Sequence, residues 1–443
     1  MKIAIIGAGI SGLGCAYALS KESNFEIDLY EGQRHIGGHS YTIDLTLEDV
    51  THGIDTGFLV FNHRTYPRLV KLFNELEVPV SNSEMTFSVS IPRKNEAPLE
   101  WSGTNLNTLF AQRENLYNPK FLKMVFDILR FNKQCTQLAE SGALNQLNDS
   151  VADFLSKNRY SQYFKDWYFL PMIGAIWSCP VEQMLEFPMS TMIRFCHNHG
   201  LIQVNDRPQW MTVNGGSREY VKRIVAKLNA SGVQIIKDQV TTVRRGKSIE
   251  VLTENNSLKH YDHVIFASHS DQTLNMLGDA HPDEAKILGA VRYQKNRAVV
   301  HTDRSLLPQN ENCWSAWNYT TNNRATLADR RVCVNYLINK LQPLPAAWKD
   351  QAVVVSLNPV KEPQARLKRM EIEYEHPIFD AKAIEAQQQL SLIQGVRNTW
   401  FCGAWTGYGF HEDGLRSGEL VAQALTKLHS TETDTSSEVF EAA

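Results

Sequence analysis

Apolar residues near the start of the chain fall in short unbroken runs. "KIAII" (2–6) reads as a strand buried on both faces, as in a parallel sheet. "LGCAYALSK" follows with small residues at helical spacing, and "FEIDLYE" then supplies a second strand ending at Glu31. Short runs return at "VQIIKDQVTTV" (233–243) and "YDHVIFAS" (261–268), with the helical pattern "EYVKRIVAKL" just before them. Strands alternating with helices predict an α/β fold built on a parallel sheet with crossover helices. Residues 115–204 read differently, as helices without a glycine turn. Within them, "NPKFLKMVFDILRFNK" (118–133) mixes apolar and basic positions, and "YSQYFKDWYFLPMIGAIWS" (160–178) is dense in large aromatic groups. Near the end, "ELVAQAL" predicts a helix, and the polar stretch 429–443 predicts a disordered tail.

The junction between the first strand and first helix carries chemistry. "GAGISG" gives G-x-G-x-x-G with Gly7, Gly9 and Gly12. Gly7 permits the tight turn, Gly9 lets the backbone approach a pyrophosphate, and Gly12 lets the helix pack close to the strand. The helix start, Ile10 and Ser11, presents unpaired N–H groups and a positive dipole end to phosphate. Glu31, 19 residues past Gly12, suits a ribose diol. This order of strand, turn, helix, strand and acid predicts a dinucleotide site; by itself it does not choose NAD or FAD. Further along, "EGQRHIGGHSYT" places Gly37 and Gly38 between Arg34 and His39, a second close backbone approach with basic neighbours. "GIDTGFLVF" adds another turn at Gly57 and Phe58.

Composition narrows the classes. A length of 443 residues allows two or three domains, and a net charge of −3 gives no reason to expect nucleic acid as a partner. No apolar run approaches the roughly 20 residues that span a bilayer. The first residues superficially resemble a secretory leader, but their glycine spacing argues for the dinucleotide turn instead. Seven cysteines, none in a C-x-x-C pair, predict reduced buried thiols in the cytoplasm, with neither a disulfide framework nor a metal site.

Taken together, these motifs resemble the FAD-dependent amine oxidase superfamily of monoamine oxidases, protoporphyrinogen oxidase and phytoene desaturases. "VNGGSREYVKRIVAKL" (213–228), the strand with Val240, "YDHVIFAS" and "TWFCGAWTGYGFHEDGLRSGELVAQAL" are similar to further segments of that family. "FNHRTYP", "PMIGAIWS", "HNHGL" and "WFCGAWTGYGFHEDGLRSG" are similar to a bacterial branch of predicted FAD/NAD-binding oxidoreductases. The resemblance implies a Rossmann-like FAD domain assembled from 1–75, 205–275 and 395–428, interleaved with an α+β substrate domain from 76–204 and 276–394. It implies non-covalent FAD, with Val240 at the adenine end and Gly403, Asp413, Gly414 and Leu415 at the flavin end. Gly414 and Leu415 would open the last helix toward the ring, with Asp413 as its N-cap.

The resemblance also implies hydride removal from a C–H bond to flavin N5. Three positions before Gly414, where the amine oxidases carry an aromatic residue, stands His411, a candidate catalytic group, with Tyr408 and Phe410 beside it. Trp177 and His301 join these as candidate substrate contacts; Lys295 and Arg297 stand near the place of a lysine that some amine oxidases use. The abundance of aromatic groups favours an apolar small-molecule substrate, fatty-acyl or isoprenoid in kind. The electron acceptor stays open, as does peripheral membrane contact through 118–133. Two alternatives remain: a flavin isomerase or mutase without net redox, and a non-enzymatic lipid- or prenyl-binding protein of the same fold.

Overall fold

The computed structural model describes residues 1–22, 24–177, 184–203, 207–322 and 332–441. Lys2–Ile6 lies at the centre of a five-stranded parallel sheet. Glu26–Tyr30 and then Gln234–Ile236 flank it on one side, His263–Phe266 and then Thr399–Phe401 on the other. The β-branched and aliphatic side chains of these strands are almost wholly buried except on the edge strand Gln234–Ile236, where Ile235 and Ile236 are half-buried. Three chain segments far apart in sequence, 2–30, 234–266 and 399–401, therefore build one layer.

A seven-stranded sheet forms the second layer. It runs in the order Lys368–Ile378, Arg292–His301, Val354–Leu357, Val332–Leu337, Trp317–Thr321, Phe87–Arg93 and Glu96–Ser102. Residues 80–83, beyond the expected boundary at 75, pair instead with 210–213, which also pairs with 61–62.

Four helices matter below: α1 (Ile10–Leu19), α2 (Pro119–Glu140), α3 (Met189–Asn198) and α4 (His411–Glu441). Helix α4 continues past residue 428, where a disordered tail was expected; no Gly or Pro stands in 429–441 to stop it. Six cysteines are free and buried, and Cys179 lies outside the described residues. Among the described residues no helix is long and apolar enough to cross a membrane, and no cluster of His, Cys, Asp or Glu suits a metal ion.

One carboxylate ties distant segments together. Asp55 is 1% exposed and accepts hydrogen bonds from the Ser217 N–H (2.9 Å), the Ser217 and Thr42 hydroxyls, and Gln342 Nε2 (3.0 Å). The Gln342 Oε1 in turn accepts from the Asp55 N–H at 3.0 Å. Every partner of the carboxylate is a donor, so an Asn would turn an NH₂ group toward at least one of them. Asp55→Asn should lower unfolding free energy by roughly 3 kcal/mol in a denaturant titration, by stranding buried donors.

Candidate functional site

The first glycine turn has the form its sequence predicts. The Gly7 N–H donates to the Tyr30 carbonyl at 2.9 Å, and Gly7 takes a φ of +107°, a conformation that L side chains rarely adopt. A Cβ on Gly12 would stand 1.9 Å from the Gly7 oxygen, so only glycine lets α1 approach this closely. Gly9 is the N-cap of α1, and a Cβ there would meet no atom within 4 Å. Open space therefore fronts the helix start, while Ile10 and Ser11 are buried behind it.

The second glycine pair lies directly on this turn. The Gly37 N–H donates to the Ala8 carbonyl at 2.9 Å, and a Cβ on Gly38 would stand 3.2 Å from the Gly9 Cα. Glu31 closes the other side. Its Oε2 accepts from the Ala8 N–H at 2.9 Å and its Oε1 from the Gln33 N–H at 2.8 Å, which fixes the carboxylate beside the turn. Val240 is buried at the start of the strand Val240–Arg245. Arg34 is exposed.

The C-terminal turn converges on the same place. A Cβ on Gly418 would lie 2.2 Å from the Ser11 carbonyl oxygen, and one on Gly414 would lie 2.9 Å from both Ile10 Cγ2 and Ser11 Oγ. Contacts advance in the same direction along both helices, so α1 and α4 run parallel with their N-termini side by side. Leu415 packs over Gly14, and Gly403, at φ +155°, donates its N–H to Ser417 Oγ at 2.9 Å. Asp413 is not the N-cap. The helix opens at His411, and the Gly414 N–H already donates to the Phe410 carbonyl. Asp413 is the third helical residue and reaches back, accepting from the N–H groups of Tyr408 (3.0 Å) and Phe410 (3.2 Å). This is the acidic half of a capping box.

His411 faces away from the aromatic groups beside it. Its ring stacks on Phe58 at 3.9 Å, and its Nε2 lies 2.8 Å from Ser40 Oγ, which also bonds the Tyr220 hydroxyl. It keeps some exposure yet sits deep in the molecule, and desolvation pushes its pKa down to about 3. A ring so reluctant to gain a proton is a poor general base; its contacts describe a packing role.

The substrate-side candidates divide. Phe195 on α3 stacks on Phe410 (5.0 Å between centroids) and lies 4.5 Å from Trp177 and 6.1 Å from Tyr408. Three expected residues are thus brought together by a fourth, and His199 stacks on the same Phe195 ring at 4.0 Å. His301 is not with them. It is fully enclosed at the end of its strand, with Nε2 2.7 Å from Ser356 Oγ and Nδ1 accepting from the Asp303 N–H. Lys295 is exposed, and Arg297 pairs with Glu362 and Glu371, so both point away from the parallel-sheet layer.

Between those two, Asn296 points inward, and it belongs to a group that motif reasoning missed. Asn296 Nδ2 donates to His376 Nδ1 at 2.7 Å, which leaves the His376 proton on Nε2. His39 stacks on Tyr374 (5.2 Å) and lies 5.3 Å from His376. The His39 carbonyl accepts from the Phe58 N–H, and a Cβ on Gly57 would lie 2.3 Å from that carbonyl oxygen. His39 Nε2 is buried without a hydrogen-bond partner. Desolvation first, and the neighbouring imidazoles second, hold His39 well below the ordinary histidine range; burial brings His376 down to about 4. The available signal was the alternation in "EYEHPI", which puts Tyr374 and His376 on one face.

Comparison with known proteins agrees with this geometry. Residues 5–76 match the NAD(P)-binding Rossmann-like domain family. The polyenoic fatty acid isomerase of Ptilota filicina is 31% identical over 116 residues, a match spanning 25% of this chain and 23% of that protein. Among solved structures, cyclohexylamine oxidase from Brevibacterium oxydans IH-35A superposes with a TM-score of 0.66 at 16% identity, covering 97% of this chain and 99% of that one. The CLA-producing fatty acid isomerase from P. acnes gives 0.65 at 14% identity, covering 95% and 98%. The chain therefore has the fold of the FAD-dependent amine oxidases, built around a Rossmann-like dinucleotide-binding unit.

Two outcomes follow. Gly418→Ala should separate α1 from α4, lowering unfolding free energy by roughly 3 kcal/mol in a denaturant titration. The second concerns pH. His301 and His376 have folded values of about 4 against 6.5 for a free histidine. The unfolded chain then binds more protons, so their contribution is complete above about pH 6.5 and is lost as pH falls toward 4. For enclosed His301 this is about 2 kcal/mol at about pH 5. The loss in unfolding free energy from about pH 7.5 to about pH 5 should be smaller in His301→Gln.

Proposed function

We propose that this protein binds FAD non-covalently and removes a hydride from a C–H bond of an apolar, acyl-chain-like substrate. The observation that carries this is the pairing of two helix N-termini beside Glu31 and the open face of Gly9. Glu31 would hold the adenosine ribose, with Val240 at the adenine. The turns at Gly9 and Gly38 would hold pyrophosphate, and Gly403 with the start of α4 would hold the ring end. His39, with its buried unpartnered Nε2, supplies a donor or acceptor that a ligand is needed to satisfy. Bound FAD would supply a hydride acceptor whose reduced ring carries negative charge.

The chain's own residues then have definite tasks. The positive ends of α1 and α4 would stabilise negative charge on the ligand. Neutral His39, His376 and Tyr374 would cover the site without adding a competing charge. Cys402 is buried against Cys15, with its thiol pushed up to about 12, so it offers no thiolate for a flavin linkage. The cluster of Trp177, Phe195, Tyr408 and Phe410 would hold an apolar substrate.

A second reading, double-bond isomerisation without net redox, gains support from the two fatty acid isomerases among the similar proteins. Anaerobic addition of a polyunsaturated fatty acid to the FAD-loaded protein separates them. Stoichiometric bleaching of the flavin band supports dehydrogenation; a shifted double bond with the band unchanged supports isomerisation. A protein that takes up no FAD would overturn the flavin reading and revive the lipid-binding alternative, and bleaching by primary amines alone would sink the apolar-substrate reading. His411→Ala should retain FAD and lose less than about tenfold in turnover while unfolding more easily by about 1–2 kcal/mol. Abolished turnover with unchanged stability would return His411 to the chemistry.

A further inference from the structure

Helix α2 carries two apolar stripes. One, with Phe121, Met124 and Phe131, is buried in the core of the substrate layer. The other faces solvent: Leu122 is 42% exposed, Phe126 60% and Leu129 55%. Their spacing of four and three residues puts them in one line along the helix. Just before the helix, Leu116 and Tyr117 are also exposed, Tyr117 at 87%. A soluble protein's lone exposed leucine needs no explanation, but five large apolar groups gathered on one helix and its leading turn do.

Charge selects the occupant. Residues 106–133 hold five Lys and Arg against two acids, a net of +3 in a chain whose net charge is −3. One of those acids, Asp127, has a side chain 0% exposed, turned inward to the Ser161 N–H and paired with Lys123 and Arg130. Outward-facing charge on the stripe is thus carried by Lys133, four residues past Leu129 and in line with it, and by Lys123 at its flank, while Lys120 turns to the Tyr163 ring on another side of the first turn. Lysines at the end and flank of a line of Leu and Phe, with a tyrosine at the edge, match an anionic lipid surface, where acyl chains take the apolar groups and headgroups take the ammonium groups.

We propose that the exposed face of α2, with Leu116 and Tyr117, docks this protein on an anionic membrane surface. The inference stands apart from the FAD reading, since it uses no residue of the cofactor cradle. It is tested with the FAD-loaded protein and vesicles of phosphatidylcholine, with and without phosphatidylglycerol, in a flotation assay. The wild type should float with the phosphatidylglycerol vesicles and lose that binding as salt rises. Leu122→Ser/Phe126→Ser/Leu129→Ser should reduce binding at least about tenfold, with flavin absorbance and melting temperature retained. Lys133→Glu, which leaves the apolar stripe intact, should reduce the preference for phosphatidylglycerol. Absence of wild-type flotation, or equal flotation of the triple variant, would overturn the proposal. So would a concentration-dependent dimer in lipid-free sedimentation that the triple variant abolishes, which would assign the stripe to a second copy.

Discussion

The candidate site rests on the close approach of α1 and α4. A helix pair usually keeps its axes 8–10 Å apart, according to the side chains at the contact. Here Gly414 and Gly418 on one helix and Gly14 on the other remove those side chains, and the Ser11 carbonyl lies where a Cβ of residue 418 would stand. Two helix starts separated by about 400 residues of sequence thereby become neighbours. Each start leaves unpaired N–H groups and a partial positive charge. Side by side they make one extended electropositive edge, which neither turn makes alone. Glu412 secures the arrangement from outside: it accepts from the N–H groups of Arg68 and Leu69, at the start of the helix Pro67–Glu75, while Arg68 pairs with Glu419.

A second constraint is the junction between the two sheets. Asp55 holds Ser217 and Gln342 together, and Thr56 bonds the Tyr374 hydroxyl at 2.6 Å a short distance away. These polar links lie beside a group of imidazoles that burial keeps neutral. The combination has a physical logic. A charged histidine facing the cradle would compete with the helix ends for any anionic ligand, and would carry a desolvation penalty of its own. Neutral rings remove both problems while retaining hydrogen-bonding capacity at His39 and at His376 Nε2.

Local motifs were legible in the sequence because their chemistry is local. Gly7, Gly9, Gly12 and Glu31 act within one strand–helix–strand unit, and their spacing is set by that unit alone. The parallel sheet was legible for a similar reason, since buried strands must be continuously apolar. What stayed hidden depends on register or on a distant partner. Lys295 and Arg297 drew attention as charged groups on the right strand, but the pleat turns them outward and turns Asn296 in. Asp413 looked like an N-cap because it precedes the helical pattern, yet the chain enters the helix three residues earlier. His411 was placed correctly beside the last glycine turn, but only the fold shows Phe58 and Ser40 against its ring. Phe195 and His376 have no motif at all; each matters through a contact with a distant segment, Phe195 with Phe410 and His376 with Asn296.

Helix α2 shows the same limit from another side. Its sequence is amphipathic by any periodic measure, which normally means one apolar face and one wet face. The fold reveals that its apolar residues supply two faces, and that the buried one is enough to anchor it: Phe121 and Phe131 are at most 1% exposed. Leu122, Phe126 and Leu129, each 42–60% exposed, lie outside the core that holds the helix, so core packing does not explain them. Composition cannot separate a residue that faces the core from one that faces out with equal hydrophobicity. The assignment needs both the exposure, which only the fold provides, and the flanking lysines, which the sequence showed from the start.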